Sequence, residues 1–368
     1  MKTGEIAKEL VGFKTLSPVQ EPSVFEYVKG LLAEHGIASE IHEVDGVYSL
    51  TASTGSGKPH ICLSGHLDVV EPEGQWSVTD PFNPVIEDGR LYGRGATDMK
   101  GAVAAQIKTL IDLHGDEDFD GRATLMATGD EEIGGNRGTE ALINDLEEEF
   151  DYALVGEPTD LNVQVGVRGV LWLNVRLRGE GIHASRAQLA ELNVMEELPE
   201  ALERLNSFEP GHSYSGDLPT PSFEVTKIDS TDTYNSVPGE VEIGIDTRYV
   251  PTQKPEEIRK EVEEALRGIG CEYTVEIEKH PGKPYELESQ KLRKAVRTGI
   301  EEATGEPPEE ITEGGSSDGR FFARRDTPFV EVGTNQAAVH AENEYCDIER
   351  LRELRKSFYL TSKNLAGE

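Results

Sequence analysis

The chain has 368 residues and sets 36 Lys and Arg against 70 Asp and Glu, a formal net charge of −34. That length suggests two domains, and that charge repels nucleic acid and anionic membrane surfaces, so neither is an expected partner. The acids are spread along the whole chain, which argues against a disordered tail and reads as adaptation to high salt. No apolar run approaches the roughly 20 residues of a bilayer span, and the N-terminus MKTGEIAKEL lacks the apolar core of a secretory signal, so a cytoplasmic location is expected.

In chain order, residues 22–35 carry Val24, Val28, Leu31 and Leu32 at helical spacing. HICLSG, 60–65, is an apolar run ending in glycine, as a buried strand would. MKGAVAAQIKTLIDLHG, 99–115, predicts a helix stopped by a glycine. A strand at 122–128, a helix near 138–148 and a strand at 152–156 continue the alternation. Such alternation predicts an α/β sheet covered by helices on both faces. The middle differs. A strand at 170–179, a helix at 193–206, strands at 222–228 and 240–249, a helix at 255–268 and a strand at 272–279 follow one another. That is the order of a ferredoxin-like unit. KHPGKPYE, 279–286, reads as a linker, after which a helix, the strand PFVEVG (328–333) and a further helix resume. The expected organisation is a catalytic α/β domain from residues 1–168 and 282–368, interrupted by an inserted α+β lid, 169–281. Cys62, Cys271 and Cys346 are widely separated and odd in number, so they form no disulfide framework or thiolate metal site.

Two glycine-rich stretches fail as nucleotide motifs. TGSGKPH has Ala52 where a phosphate loop needs its first glycine, and Pro59 after Lys58. GRGATDMKG has Asp98 at the third fingerprint position. Other places carry more chemistry. In GHLDVV, His66 and Asp68 lie just past a strand end, and a carboxylate two residues on in extended chain shares the imidazole's side and can orient it. Asp98 alone would read as a helix cap. MATGDEEIGG places Asp130, Glu131 and Glu132 side by side after a buried run. Glu157 follows the strand at 152–156, and His340 lies in a polar loop after the strand at 328–333. Each has an ordinary surface reading when taken singly. Together, a His, Asp, Glu, Glu and His at the strand ends of one domain suit two divalent zinc-like ions with one carboxylate bridging.

GHLDVV, LYGRGATDMKGA, DEE, GEPT and the late His, in this order and spacing, resemble the co-catalytic di-zinc amidohydrolases. That family includes acetylornithine deacetylase, succinyl-diaminopimelate desuccinylase, carboxypeptidase G and aminoacylase. The resemblance implies a di-zinc exopeptidase-like catalytic domain and a lid through which a homodimer forms. It implies His66, Asp98, Glu132, Glu157 and His340 as ligands of two ions, zinc or cobalt. Asp98 would bridge, His66 and Glu157 would serve one ion, and Glu132 and His340 the other. It makes Glu131 the general base, Asp68 the residue that orients His66, and His183 an oxyanion donor supplied by the partner subunit. Ala187 stands where the family usually has a proline after that histidine. Asp130 has no assigned role.

GGSSDGRF, 314–321, resembles the desuccinylase branch, and Arg168, Asn235, Arg248, Gly315 and Ser316 match its substrate-contacting positions. Arginine suits a carboxylate because guanidinium binds it bidentately. The resemblance thus implies metal-dependent hydrolysis of an N-acyl amino acid, N-succinyl-LL-2,6-diaminopimelate first, in lysine biosynthesis. Acetylornithine or another N-acyl amino acid is the alternative substrate, and a non-enzymatic binding protein the alternative class.

Overall fold

The computed structural model describes residues 1–145, 149–230, 233–312 and 317–367. Two compact units form, one from Met1–Val165 with Glu286–Glu368, the other from Gly166–Tyr285.

The first unit opens with α1 (Thr3–Val11) and α2 (Ser23–Glu34), each burying one apolar face: Ile6, Ala7, Leu10 and Val11, then Val24, Phe25, Val28, Leu31 and Leu32. Strands β1 (Ser39–Val44) and β2 (Val47–Gly55) form an antiparallel hairpin. Its two-residue turn, Asp45-Gly46, has φ of 46° and 77°, as a type I′ turn requires. Then come β3 (His60–His66), buried at every position, α3 (Lys100–His114), β4 (Arg122–Thr128), α4 (Thr139–Asp145), β5 (Tyr152–Val155) and β6 (Val163–Gln164). The second unit contributes β7 (Gly169–Arg178), α5 (Val194–Asn206), β8 (Ser222–Asp229), β9 (Glu240–Tyr249), α6 (Pro255–Ala265) and β10 (Glu272–Gly282). The chain returns to the first unit through α7 (Gln290–Thr304), β11 (Glu310–Ile311), α8 (Gly319–Arg324), β12 (Phe329–Glu331) and α9 (Ile348–Ala366).

The sheet of the first unit is mixed, in the order β1-β2-β4-β3-β5-β12-β6-β11. Its centre, β4-β3-β5-β12, is parallel, so four carboxyl ends emerge along one edge. Open α/β sheets bind ligands at such edges. Alternate positions on β3 face opposite ways. A Cβ at Gly65 would meet Met99, Val103 and Gln106 at the start of α3. His60 instead stacks at 4.6 Å on Phe150, which meets Phe322 of α8 at 6.2 Å. Helices therefore cover both faces.

The second unit has a four-stranded antiparallel sheet in the order β8-β9-β7-β10. With β-α-β-β-α-β order, this is the ferredoxin-like arrangement. One face buries Leu171, Leu173, Val175, Leu177, Val241, Ile243 and Ile245 against Val194, Ala201 and Leu205 of α5 and Ile258 and Val262 of α6. The other face is charged, with Arg176 bonded to Glu242 and Arg178 to Glu240.

The expected linker at 279–286 is corrected here, because Lys279–Gly282 continue β10. Trp172 pairs with Lys279 and Val170 with Gly282, so His280 and Pro281 share a bulge opposite Leu171. β10 is an edge strand. A proline, lacking the ladder N–H, is tolerated at an edge bulge. The three cysteines are buried and free. Among the described residues, no helix is long and apolar enough to cross a membrane.

Candidate metal centre

His66 is the last residue of β3, one position earlier than the sequence suggests, and is 1% exposed. Its Nε2 lies 3.1 Å from Asp98 Oδ1, and its Nδ1 2.9 Å from the main-chain oxygen of Asp68. The Asp68 carboxylate is farther from the ring, at 3.4 Å. It accepts from Ser17 Oγ at 2.6 Å and from the backbone N–H groups of Glu131 and Glu132 at 3.2 and 3.1 Å. The shorter contact of Asp68 with His66 is thus through its carbonyl, while its carboxylate accepts from the acidic turn.

Asp98 does not cap α3; Met99 holds that position, and the Asp98–Met99 peptide is cis. The second oxygen of Asp98, Oδ2, lies 3.3 Å from His340 Nε2, which is also 3.2 Å from Glu132 Oε1. Two groups of potential ligand atoms result, His66–Asp98–Glu157 and Asp98–Glu132–His340, each within 4.8 Å. Asp98 belongs to both. His66 ends β3, and the 131–132 pair, Glu157 and His340 follow the ends of β4, β5 and β12 in turn. The loop of His340 holds it at φ 55°, an uncommon conformation for a residue with a Cβ.

Glu131–Ile133 form a 3-10 turn, in which successive side chains point about 120° apart. Glu132 joins the metal-type group. Glu131 joins neither, and its Oε1 lies 3.9 Å from Arg320 Nη1. Asp130 is 1% exposed rather than solvated, and accepts from the N–H groups of Arg137 and Gly138, both at 2.9 Å. Gly135 has φ 60°, and a Cβ there would come within 2.1 Å of Asp318 Oδ1, so the acidic turn and the buried Asp318 approach closely only with glycine between them.

The electrostatics describe a site short of positive charge. Burial, then the charge of Asp318, holds the Glu131 pKa well above the usual carboxylate value. Burial, then the charges of Glu131 and Asp98, does the same to Glu157. Burial disfavours protonated His66, but hydrogen bonds to Asp68 and Asp98 outweigh it and raise its pKa well above the usual imidazole value. Hydrogen bonds to Asp98 and Glu132 push His340 up to about 10. Crowded buried carboxylates either bind protons or take cations. Imidazole and carboxylate donors in two groups sharing one oxygen-bearing residue fit a pair of divalent ions.

The other expected residues lie in the second unit or outside the described residues. His183 is exposed, and its Nδ1 lies 3.2 Å from the Ser185 N–H. That donor fixes Nδ1 as the acceptor, which leaves the proton of the neutral ring on Nε2. Arg168 donates to Thr220 O at 2.8 Å. Arg248 is bidentate on Asp246, at 2.7 and 3.2 Å. Asn235 is exposed, and its main-chain oxygen accepts from Ala184 N–H at 2.9 Å. Gly315 and Ser316 lie outside the described residues.

Several neighbours escape motif reading. Arg94 and Glu344 stand inside GRGATDMKG and HAENE, and Asp318 and Arg320 inside GGSSDGRF. Ser17 carries no sequence signal at all.

A profile of peptidase family M20/M25/M40 matches residues 62–364. A succinyl-diaminopimelate desuccinylase of Halorhodospira halophila (strain DSM 244 / SL1) is 32% identical, over 97% of this chain and 96% of that protein. Among solved structures, an M20 family metallo-carboxypeptidase, Sso-CP2, from Sulfolobus solfataricus superposes with a TM-score of 0.80 at 18% identity, covering 100% of both chains. The YXEP protein of Bacillus subtilis, a dinuclear metal binding peptidase of the M20 family, superposes with a TM-score of 0.73 at 15% identity, covering 99% of this chain and 98% of that one.

Proposed function

Because the chain belongs to peptidase family M20/M25/M40, we propose that it is a di-metal amidohydrolase cleaving N-succinyl-LL-2,6-diaminopimelate to succinate and diaminopimelate in the cytoplasm, a step of lysine biosynthesis. The observation that carries the di-metal reading is Asp98, with one oxygen toward His66 and the other toward His340. Glu131 belongs to neither group, and interacts electrostatically with His66 and Glu157. The name of the H. halophila relative supports the substrate.

His66, Asp98 and Glu157 would hold one ion and Asp98, Glu132 and His340 the other, zinc or cobalt in each. Bound there, such ions polarise a carbonyl and acidify water toward neutral pH. The Glu131 carboxylate takes a proton from the attacking water, whose oxygen bonds to the amide carbon. As the C–N bond breaks, Glu131 passes that proton to the leaving amine. Asp68 keeps His66 and the Glu131–Glu132 turn in register. His183 offers its Nε2–H to the oxyanion.

The reading places His183 in the partner subunit of a homodimer formed through the second unit. Mixing inactive His183→Ala with inactive Glu131→Gln should then restore activity, since subunit exchange creates a site with both groups intact. A mixture that stays dead after exchange is demonstrated would remove the partner's role.

The proposed substrate contacts are Arg168, Asn235, Arg248, Gly315 and Ser316. A succinyl amide brings a carboxylate that an acetyl amide lacks, into a protein of net charge −34. Local cations must overcome that field, and at Arg248 the carboxylate must displace Asp246. A desolvated bidentate Arg–carboxylate contact contributes about 1.5–3 kcal/mol, roughly 10- to 150-fold in specificity. The expected result is a kcat/KM at least about tenfold higher for N-succinyl-diaminopimelate than for N-acetylornithine, narrowed by Arg168→Leu or Arg248→Leu. A ratio near one would transfer the substrate to another N-acyl amino acid and leave the di-metal reading intact.

The charge itself supports adaptation to high salt. Self-repulsion at −34 is screened over a few ångströms only in molar salt. Thermal unfolding should therefore move to higher temperature between low salt and about 2 M KCl, and an unchanged midpoint would refute the adaptation.

A further inference from the structure

Glu344 lies four residues beyond His340 and is 1% exposed. Its carboxylate accepts four hydrogen bonds. Oε2 takes Arg94 Nη1 at 2.8 Å and the Gly95 N–H at 2.9 Å. Oε1 takes the Thr97 N–H at 2.8 Å and the Asp98 N–H at 3.1 Å. Arg94 is equally buried, and its Nη2 donates to the main-chain oxygen of His340 at 3.4 Å. One buried ion pair thus grips the turn that carries Asp98 and reaches the loop that carries His340. His66 and Glu157 ride instead on β3 and just beyond β5, in the middle of the parallel ladder.

A buried ion pair adds little net stability compared with apolar packing of the same volume. Its value here is geometric, since each carboxylate oxygen fixes backbone groups on one side of the site. We propose that Glu344, with Arg94, is the positioning residue for the second metal position, the one formed by Asp98, Glu132 and His340. The proposal rests on the di-metal reading above. The pair does not touch the ions; it sets where Asp98 Oδ2 and His340 Nε2 stand relative to each other.

Glu344→Gln is the test. An amide nitrogen cannot accept, so two of the four donors lose their partner while side-chain size is kept. Zn²⁺ is titrated calorimetrically into chelator-stripped protein, and Co²⁺ absorption is followed in parallel. Wild type should take two ions. Glu344→Gln should bind one ion nearly as wild type does and the other about 10- to 100-fold more weakly, as loss of a group supporting a metal ligand does. The Co²⁺ spectrum should differ from wild type at one of the two equivalents only. Glu331→Gln is the control: another buried carboxylate of the same unit, bonded to Gln164 and Ser317 and part of neither ligand group. Its charge reaches Glu157, so it should leave the Asp98–Glu132–His340 affinity unchanged. If Glu344→Gln does not fold, Arg94→Lys, which keeps the charge but replaces the two-nitrogen guanidinium fork with a single nitrogen, takes its place with the same expectation. Two unchanged affinities, equal weakening of both, or the same loss in Glu331→Gln would each overturn the proposal. A wild-type protein that takes fewer than two ions would instead overturn the di-metal reading itself.

Discussion

Replacing Glu131 with glutamine is expected to lower turnover by roughly 10²–10⁴-fold, the usual contribution of a positioned general base, while both ions stay bound. The substitution preserves size and removes the ability to take a proton. The backbone of the turn does not depend on the Glu131 side chain, because the Asp68 carboxylate holds the N–H groups of residues 131 and 132. Glu131 belongs to neither ligand group, so metal content should match wild type. Glu132→Gln should behave differently, losing one ion with its activity, because Glu132 Oε1 stands 3.2 Å from His340 Nε2 in the Asp98–Glu132–His340 group. Metal analysis beside kcat separates the two variants. Equal metal loss in both would show that the roles are assigned to the wrong members of the pair.

Asp98→Asn should weaken both ions at once, by more than the roughly 10–100-fold that a lost supporting contact costs, and abolish turnover at ordinary metal concentrations. Asp98 is the one residue common to both groups, and each of its oxygens faces a different histidine. Asparagine keeps one oxygen and puts an NH₂ where the other stood, so a bridging carboxylate cannot be replaced by it. The residue is also nearly buried, at 8% exposure, which leaves water little room to substitute for the missing oxygen. Titration of stripped protein with zinc gives the two affinities directly. Loss of a single ion, with the other bound as in wild type, would mean that Asp98 serves one position only.

Much of this architecture is legible along the chain because its signals are local. The run HICLSG ends in glycine and is a fully buried central strand, and the helix at 99–115 is buried almost all round. The hairpin Ser39–Gly55 shows how a strong signal can sit outside hydrophobic periodicity. Asp45-Gly46 between two strands is a turn signature, but β1 is half-exposed and has no clear alternation of its own. Lys279–Gly282 shows the opposite failure. Two prolines and a glycine suggest a linker, and only the place of β10 at the sheet edge lets the strand run on through a bulge.

For the site, residue types and their positions after strands follow from the sequence alone, because strand ends, glycine stops and acid clusters are properties of a few neighbouring residues. A charge of −34 and its consequences for partners need no fold at all. The tertiary structure alone decided which oxygen of Asp98 meets which histidine, and that the shorter contact of Asp68 with His66 is through its carbonyl. It also decided that Arg248 already has a partner in Asp246. These are matters of side-chain direction and of groups brought together from far apart. Glu132 and His340 are 208 positions apart in the chain, and Glu344 and Asp98 246. Local patterns carry no information at that separation. The parallel sheet supplies it, by aligning the ends of β4, β3, β5 and β12 along one edge, so that acids distant in sequence must share one buried volume.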